Sequence, residues 1–430
     1  MARRRSGCYT FLCGARGLQC ERSTSMERES AQPSEESPGP GEGPPPSKRP
    51  RLSPSPALAD PAAALSAECA AHVAATTHPN QAESAARLVQ MAVAAVERVA
   101  QQNSKWRGAT CQPFGSSVTT LGTATSDIDM SVNLPTVVAD PNDAGARRKA
   151  EQKIVKQLAG LMRRDAAFVT TQAVPEARVP LVRSLLAVGG LQCDLTISNE
   201  LAVLNSQLMR AYVLADPRVR PVALLVRAWG NARGLMDPRK GGLTSYAMLL
   251  LLLTFLQQQV NPPVLPRLQP PPPLPPTNEG NDEDGRQRNI VNGFDCTFSS
   301  SPPGGWQPAP GGAHSVGTLL HGFFDFYGHR FGRPTSGANG FKHRILRVGS
   351  AAEAASNGAD GHATAAADAD GDEDGDEDED DVSVGLLPPI VSLRLGRLVQ
   401  RSERADWTEP RWLTVEDPFE VKRNVANTLR

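Results

Sequence analysis

Residues 114–132 read FGSSVTTLGTATSDIDMSV, and the last seven of them decide the fold. Over 126–132 polar and apolar residues alternate, so in a strand Asp127, Asp129 and Ser131 share one face while Ile128, Met130 and Val132 share the other. Two carboxylates at neighbouring same-side positions repel, and burying them without a partner is costly. A divalent cation relieves both problems. Mg²⁺ takes a few carboxylates plus phosphate oxygens, and two cations held roughly 3.5–4 Å apart can activate a hydroxyl and stabilise a leaving pyrophosphate.

Working outward, residues 191–198 read LQCDLTIS. Cys193, Leu195 and Ile197 form an apolar face, and Gln192, Asp194, Thr196 and Ser198 a polar one. Asp194 therefore projects from a strand with a buried back, and an adjacent pairing would set it beside Asp127 and Asp129, where it could take the proton from a sugar 3′-hydroxyl. Upstream, Gly115 allows close backbone approach to a phosphate and Ser116 adds a hydroxyl, at the start of an expected short helix. Taken singly, a Gly-Ser pair is an ordinary turn and an Asp-x-Asp a solvated strand end. Their conjunction with a third strand-borne aspartate is what points to nucleotidyl transfer.

The surrounding pattern predicts a mixed α/β unit followed by a helical one. Strands are expected over 168–174, 178–186 and 191–198. Helices are expected over 80–100, with Asn80 as N-cap and Glu83 three residues on, then over 147–163, 201–214, 219–235, 243–260 and 316–331. The 80–100 helix is expected to pack on the helical lobe. Residues 262–276, with nine prolines in fifteen positions, read as an extended, exposed loop.

Composition sets the rest. The 430 residues include 37 glycines and 37 prolines, about one residue in six, and residues 1–60 lack apolar periodicity and are expected to be disordered. Net charge is −1, but 368–381 carries 11 acidic and no basic residues, leaving a basic remainder compatible with a polyanion. Seven cysteines without a CxxC pair make neither a disulfide framework nor a zinc site, and imply a reducing compartment. The longest apolar run, AMLLLLLTFL at 247–256, is too short to span a bilayer. The basic cluster PPPSKRPRL at 44–52 is compatible with nuclear import, and the Arg-rich, acid-free first residues with an organelle transit peptide, so a cytoplasmic, nuclear or organellar location stays open.

FGSS, SDIDMSV and CDLTISN together resemble the nucleotidyltransferase superfamily of DNA polymerase β, in particular its terminal uridylyltransferase and poly(A)-polymerase branch. The similarity continues through NSQLMRAYVLADPRVRPVALLVRAWGNARGLMD, GGLTSYAMLLLLLTFLQ, VGTLLHGFFDFYGHRF and VEDPFEVKRNVA, across 75–428 apart from the low-complexity insertions. It implies an α+β architecture: a mixed-sheet palm with a leading helix over 75–200, a helical poly(A)-polymerase-associated lobe over 201–345 with a Pro-rich loop at 261–290, an acidic insertion at 350–383, and a closing segment at 386–430 that returns to the cleft. It also implies roles. Asp127, Asp129 and Asp194 would be the metal-binding triad for Mg²⁺ or Mn²⁺, and Ser116 would touch the triphosphate. Asn205 would meet the ribose 2′-hydroxyl, Arg227 the phosphates, Ser245 and Tyr246 phosphate and base, and Asp417, Glu420 and Arg423 the base edge. Three departures stand out: Asn231 replaces a second phosphate-binding lysine, so that the grip on triphosphate is either weaker or supplied by Lys240 or another residue; Arg423 replaces a uracil-reading histidine; and the sequence stops at Arg430, where relatives continue with further helix. The implied activity is addition of nucleotides from UTP, or alternatively ATP, to an RNA 3′ end by a monomer, with a protein partner to deliver the RNA and no membrane. An inactive RNA-binding scaffold and a small second-messenger product are the rival expectations.

Overall fold

In this computed structural model the described residues are 61–76, 79–123, 126–135, 144–270, 288–307, 314–331, 389–404 and 413–428. Expectations for residues 1–60, the 44–52 cluster and the 350–383 insertion lie outside them.

The palm is a five-stranded mixed sheet in the order β1-β2-β5-β4-β3, with β1 Thr110–Phe114, β2 Ile128–Asn133, β3 Phe168–Val174, β4 Leu181–Leu186 and β5 Gln192–Ile197. β2 and β5 run parallel, and the remaining pairs are antiparallel. Alternation fixes which face is dry: Ile128, Met130 and Val132 of β2 pack with Cys193, Leu195 and Ile197 of β5 under two helices, α2 (Pro79–Ala100) and α3 (Ala144–Met162). Val155, Leu158 and Met162 of α3 are fully buried there, each worth about 1.5–3 kcal/mol of apolar transfer. The opposite face carries the aspartates.

The second core belongs to α4 (Glu200–Ala215), α5 (Val219–Ala232), α6 (Ser245–Gln258) and α7 (Val316–Asp325), which continues as one π-helical turn through Arg330. α6 is apolar all round and sits at the centre of this core, capped by Thr244, whose hydroxyl accepts the Ala247 amide. Short hairpins (β6 Ile290–Val291 with β7 Phe294–Asp295, and β8 Ile390–Ser392 with β9 Arg397–Val399) and the 413–428 segment close its side.

Several expectations change. α2 packs on β1, β2 and α3 and not on the helical lobe: its stripe of Ala92, Ala95, Val96 and Val99 completes the palm core. It begins at Pro79, ahead of the expected cap at Asn80, because proline tolerates a first-turn position. The helix that does lean on the helical lobe is α1 (Pro61–Thr76), which the sequence reading assigned to no element. Its run of alanines gives no apolar stripe. What it offers is close approach: a Cβ on Gly317 of α7 would collide with Ser66, and the Ser66 and Ser315 hydroxyls bond at 2.7 Å. β4 starts only at Leu181, after Pro180, which has no amide to donate. Within the first part of the Pro-rich stretch, Pro262, Pro263 and Arg267 are exposed as expected, but 264–266 and 268–269 are buried, since Val264, Leu265 and Leu268 enter the helical core and the Leu268 amide donates to the Tyr212 hydroxyl.

Candidate active site

Between the polar face of the sheet and helices α4–α6 lies a cavity of about 750 Å³. Gly115, Ser116, Asp127, Asp129, Asn205, Arg227, Ser245, Tyr246, Glu420 and Arg423 all line it. Asp194 and Asp417 do not. Asp194 stands one strand further from the cavity, and Asp417 is wholly buried behind its wall.

At the palm end, Asp129 of β2 is the register partner of Asp194 on β5, so the two side chains leave adjacent strands on the same face. Asp127 precedes β2 and is exposed, with Gln192 Nε2 donating to its Oδ2 at 3.0 Å. Gly115 has φ +70°, and a Cβ there would overlap the Asp129 carboxylate, so the glycine is what lets the turn Gly115–Ser117 lie against this aspartate. The Gly115 amide is anchored on the Ser206 hydroxyl at 2.8 Å. Burial, and then the charges of Asp194 and Asp127, push the Asp129 carboxyl up to about 7; burial and Asp194 also raise Asp127.

Asp194 is held differently. Arg183 of β4, its antiparallel register partner, forks onto it with Nε 3.0 Å from Oδ1 and Nη2 2.6 Å from Oδ2. Among the described residues no group of three or more Asp, Glu, His or Cys side chains is gathered closely enough to hold a metal ion. The donor set nevertheless fits one. Asp127 and Asp129 are carboxylates on one cavity wall, both pushed toward protonation by loss of solvent and by the charge of Asp194, which is the condition a divalent cation relieves. Asp194 would join the set only where its oxygens were shared with the Arg183 fork or the fork opened.

Beyond Ser117, three helical-lobe arginines bond carbonyls of the same loop. Arg210 reaches Val118 O at 2.9 Å, Arg220 Thr120 O at 3.0 Å and Arg227 Leu121 O at 2.8 Å. Arg227 remains in the cavity wall beside Asn231. Lys240, the expected substitute for a second lysine, is exposed next to Asp237 and outside the cavity lining.

At the far end, the Tyr246 hydroxyl lies 2.9 Å from Asn205 Oδ1 and 3.4 Å from Asp417 Oδ2. Asp417 accepts the Phe419 and Glu420 amides at 3.0 and 3.1 Å, which fixes the loop that presents Glu420 and Arg423. Arg423 pairs with Glu420 and stands 3.7 Å from Asp417. Behind this loop, buried Arg394 donates to Asp295 and to the Pro418 carbonyl, and Gln269 donates to the same carbonyl at 3.0 Å. Arg183, Gln192, Ser206 and Arg394 were absent from the sequence-derived site. Only Gln192 carried a signal, as the next polar-face residue before Asp194.

The fold and site define a five-stranded mixed-sheet palm with an attached helical lobe and a cavity between them. Residues 69–214 match the family model of the central palm domain of mitochondrial-like poly(A) RNA polymerases. Among solved structures, a cytoplasmic RNA terminal U-transferase superposes with TM-score 0.58 and 22% identity, over 86% of this chain and 88% of that one. In sequence the chain is similar to fission yeast (Schizosaccharomyces pombe) proteins, among them the following two. It is 30% identical over 237 residues to the poly(A) RNA polymerase cid13, covering 55% of this chain and 37% of that protein. It is 30% identical over 223 residues to the terminal uridylyltransferase cid1, covering 51% and 48%. The mitochondrial poly(A) RNA polymerase of Mus musculus is 30% identical over 234 residues, covering 51% and 38%. The chain thus spans about half or less of the length of these relatives. No helix among the described residues is long and apolar enough to cross a membrane.

Proposed function

We propose that this chain is a template-independent RNA 3′-terminal nucleotidyltransferase that takes UTP. In the reaction the RNA 3′-oxygen forms a bond to the α-phosphorus, the bond from that phosphorus to the β-phosphate bridging oxygen breaks, and pyrophosphate leaves. The observation that carries the reading is the in-register placement of Asp129 beside Asp194, with Asp127 on the same cavity wall. Divalent cations, Mg²⁺ or Mn²⁺, would be held by Asp127, Asp129 and Asp194 and supply charge stabilisation at the attacking and leaving oxygens. Asp194 would receive the proton of the attacking hydroxyl. Ser116 and Arg227 would hold the triphosphate, Asn205 the ribose, and Tyr246 the face of the base. At its edge, Arg423 would donate to a carbonyl oxygen of uracil while Glu420 accepts the neighbouring N–H.

A second reading keeps the chemistry and replaces UTP with ATP. It is favoured by the same Arg423–Glu420 pair, since adenine offers a ring-nitrogen acceptor beside an amino donor, and by the poly(A) polymerases among the relatives. Incorporation of each of the four triphosphates onto one labelled oligoribonucleotide, with Mg²⁺ or Mn²⁺, separates them. Preference for UTP supports the first reading and preference for ATP the second. Absence of incorporation with any triphosphate, by protein that binds RNA, overturns both in favour of a scaffold.

A further inference from the structure

Across the sheet, Asp129, Asp194 and Arg183 occupy one row of register partners on three neighbouring strands, β2, β5 and β4. Register partners project to the same face, so a carboxylate, a second carboxylate and a guanidinium lie side by side on the polar side of the palm. The guanidinium spends its contacts on the middle member alone, with one nitrogen on each Asp194 oxygen. Asp129, partly buried, receives no such partner among the described side-chain bonds, and Asp127 receives only the neutral amide of Gln192. Three negative charges therefore share one positive charge, and that charge is fixed at the carboxylate farthest from the cavity.

The two partners differ in exposure. The Asp194 side chain is 15% exposed and that of Arg183 47%. A half-solvated ion pair contributes little net stability, on the order of 0–1 kcal/mol, so opening it is cheap. A doubly charged cation at the same oxygens has twice the charge, binds closer, and also relieves Asp129 and Asp127, neither of which Arg183 bonds, although its charge is felt at Asp127.

We propose that Arg183 is a resident counter-cation of the third carboxylate: it orients Asp194 while the site is without metal and competes with the divalent cation for the Asp194 oxygens. Arg183 is on this view a positioning residue and touches no substrate. The proposal rests on the reading of Asp127, Asp129 and Asp194 as the cation site, and it adds that cation affinity is held down by a guanidinium on the neighbouring strand. One function of that restraint is to keep the Asp194 carboxylate oriented while the palm is empty. Another is to make full occupancy depend on a triphosphate, whose oxygens bring further ligands.

The test is a Mn²⁺ titration of the full chain without triphosphate, followed by the electron paramagnetic resonance of free Mn²⁺, in wild type, Arg183→Met, Arg183→Lys and Asp127→Ala. Removing one unit charge a few ångströms from a divalent cation is expected to tighten Mn²⁺ binding about tenfold in Arg183→Met. Arg183→Lys, which keeps the charge but cannot fork, is expected to fall between that variant and wild type, and it reports in the same direction if the Met variant does not fold. Mn²⁺ binding by wild type that is unchanged or weakened in Arg183→Met overturns the proposal while leaving the cation site standing. Binding that is indifferent to Asp127→Ala shows the cation elsewhere, and then the catalytic reading falls and this inference with it.

Discussion

At the palm end of the cavity Asp127 and Asp129 form no ion pair among the described residues, whereas at the other end Tyr246, Asn205, Asp417, Glu420 and Arg423 satisfy one another. The palm end is carried by strand register, a geometry that holds the carboxylates near each other against their repulsion. The far end is carried by a hydrogen-bonded network braced from behind by Arg394 and Gln269. One half of the site thus stores electrostatic tension that a bound cation would discharge, and the other is organised before any ligand arrives. Deletions at the two ends should therefore fail in different ways.

The largest effect belongs to Asp129→Ala. Loss of the proposed cation ligand is expected to lower kcat by at least about a thousandfold, and melting without metal is expected to stay unchanged or rise, because a partly buried carboxylate held beside other carboxylates has gone. A cooperative loss of folding in this variant would erase the contrast. The opposite profile is expected of Asp417→Ala. Two backbone amides lose their acceptor, which costs about 2 kcal/mol of stability by denaturant unfolding, together with a raised KM for triphosphate. Next, Tyr246→Ala should raise that KM about tenfold or more through lost stacking, with a smaller change in kcat. Asn205→Ala should reduce the preference for ribo- over deoxyribonucleoside triphosphates by about tenfold in competition assays.

The smallest effect is on stability against pH. With its carboxyl near 7 in the folded protein and 3.8 as the ordinary value, Asp129 binds its proton more tightly when folded. Its contribution is complete below about pH 4 and is lost as pH rises through 7. Metal-free Asp129→Asn should therefore melt a few degrees above wild type at pH 8 and level with it near pH 4. Saturating Mn²⁺ should reverse the order at pH 8, because only wild type keeps the ligand.

How far the sequence alone reached follows the same division. Strand alternation exposed Asp127, Asp129 and Asp194, and parallel pairing of β2 with β5 then set Asp129 beside Asp194. The Tyr246 neighbourhood was legible only through resemblance, since nothing in the spacing of Asn205, Tyr246 and Asp417 says that they meet. Arg183 was not legible. On a strand an exposed arginine looks like any solvated residue, and only the register of β4 on β5 gives it a partner. An amphipathic stripe announced that α2 is buried without saying against what, and the alanines of α1 announced nothing.

The central claim is that Asp127 and Asp129, joined by Asp194, hold the cations that act on a nucleotide in this cavity. Crystals grown with Mn²⁺ and a non-hydrolysable UTP analogue test it through anomalous scattering. The account expects Mn²⁺ peaks about 2.1 Å from carboxylate oxygens of Asp127 and Asp129, with the analogue's phosphates on the opposite side. Bound analogue with no peak against either aspartate would contradict it.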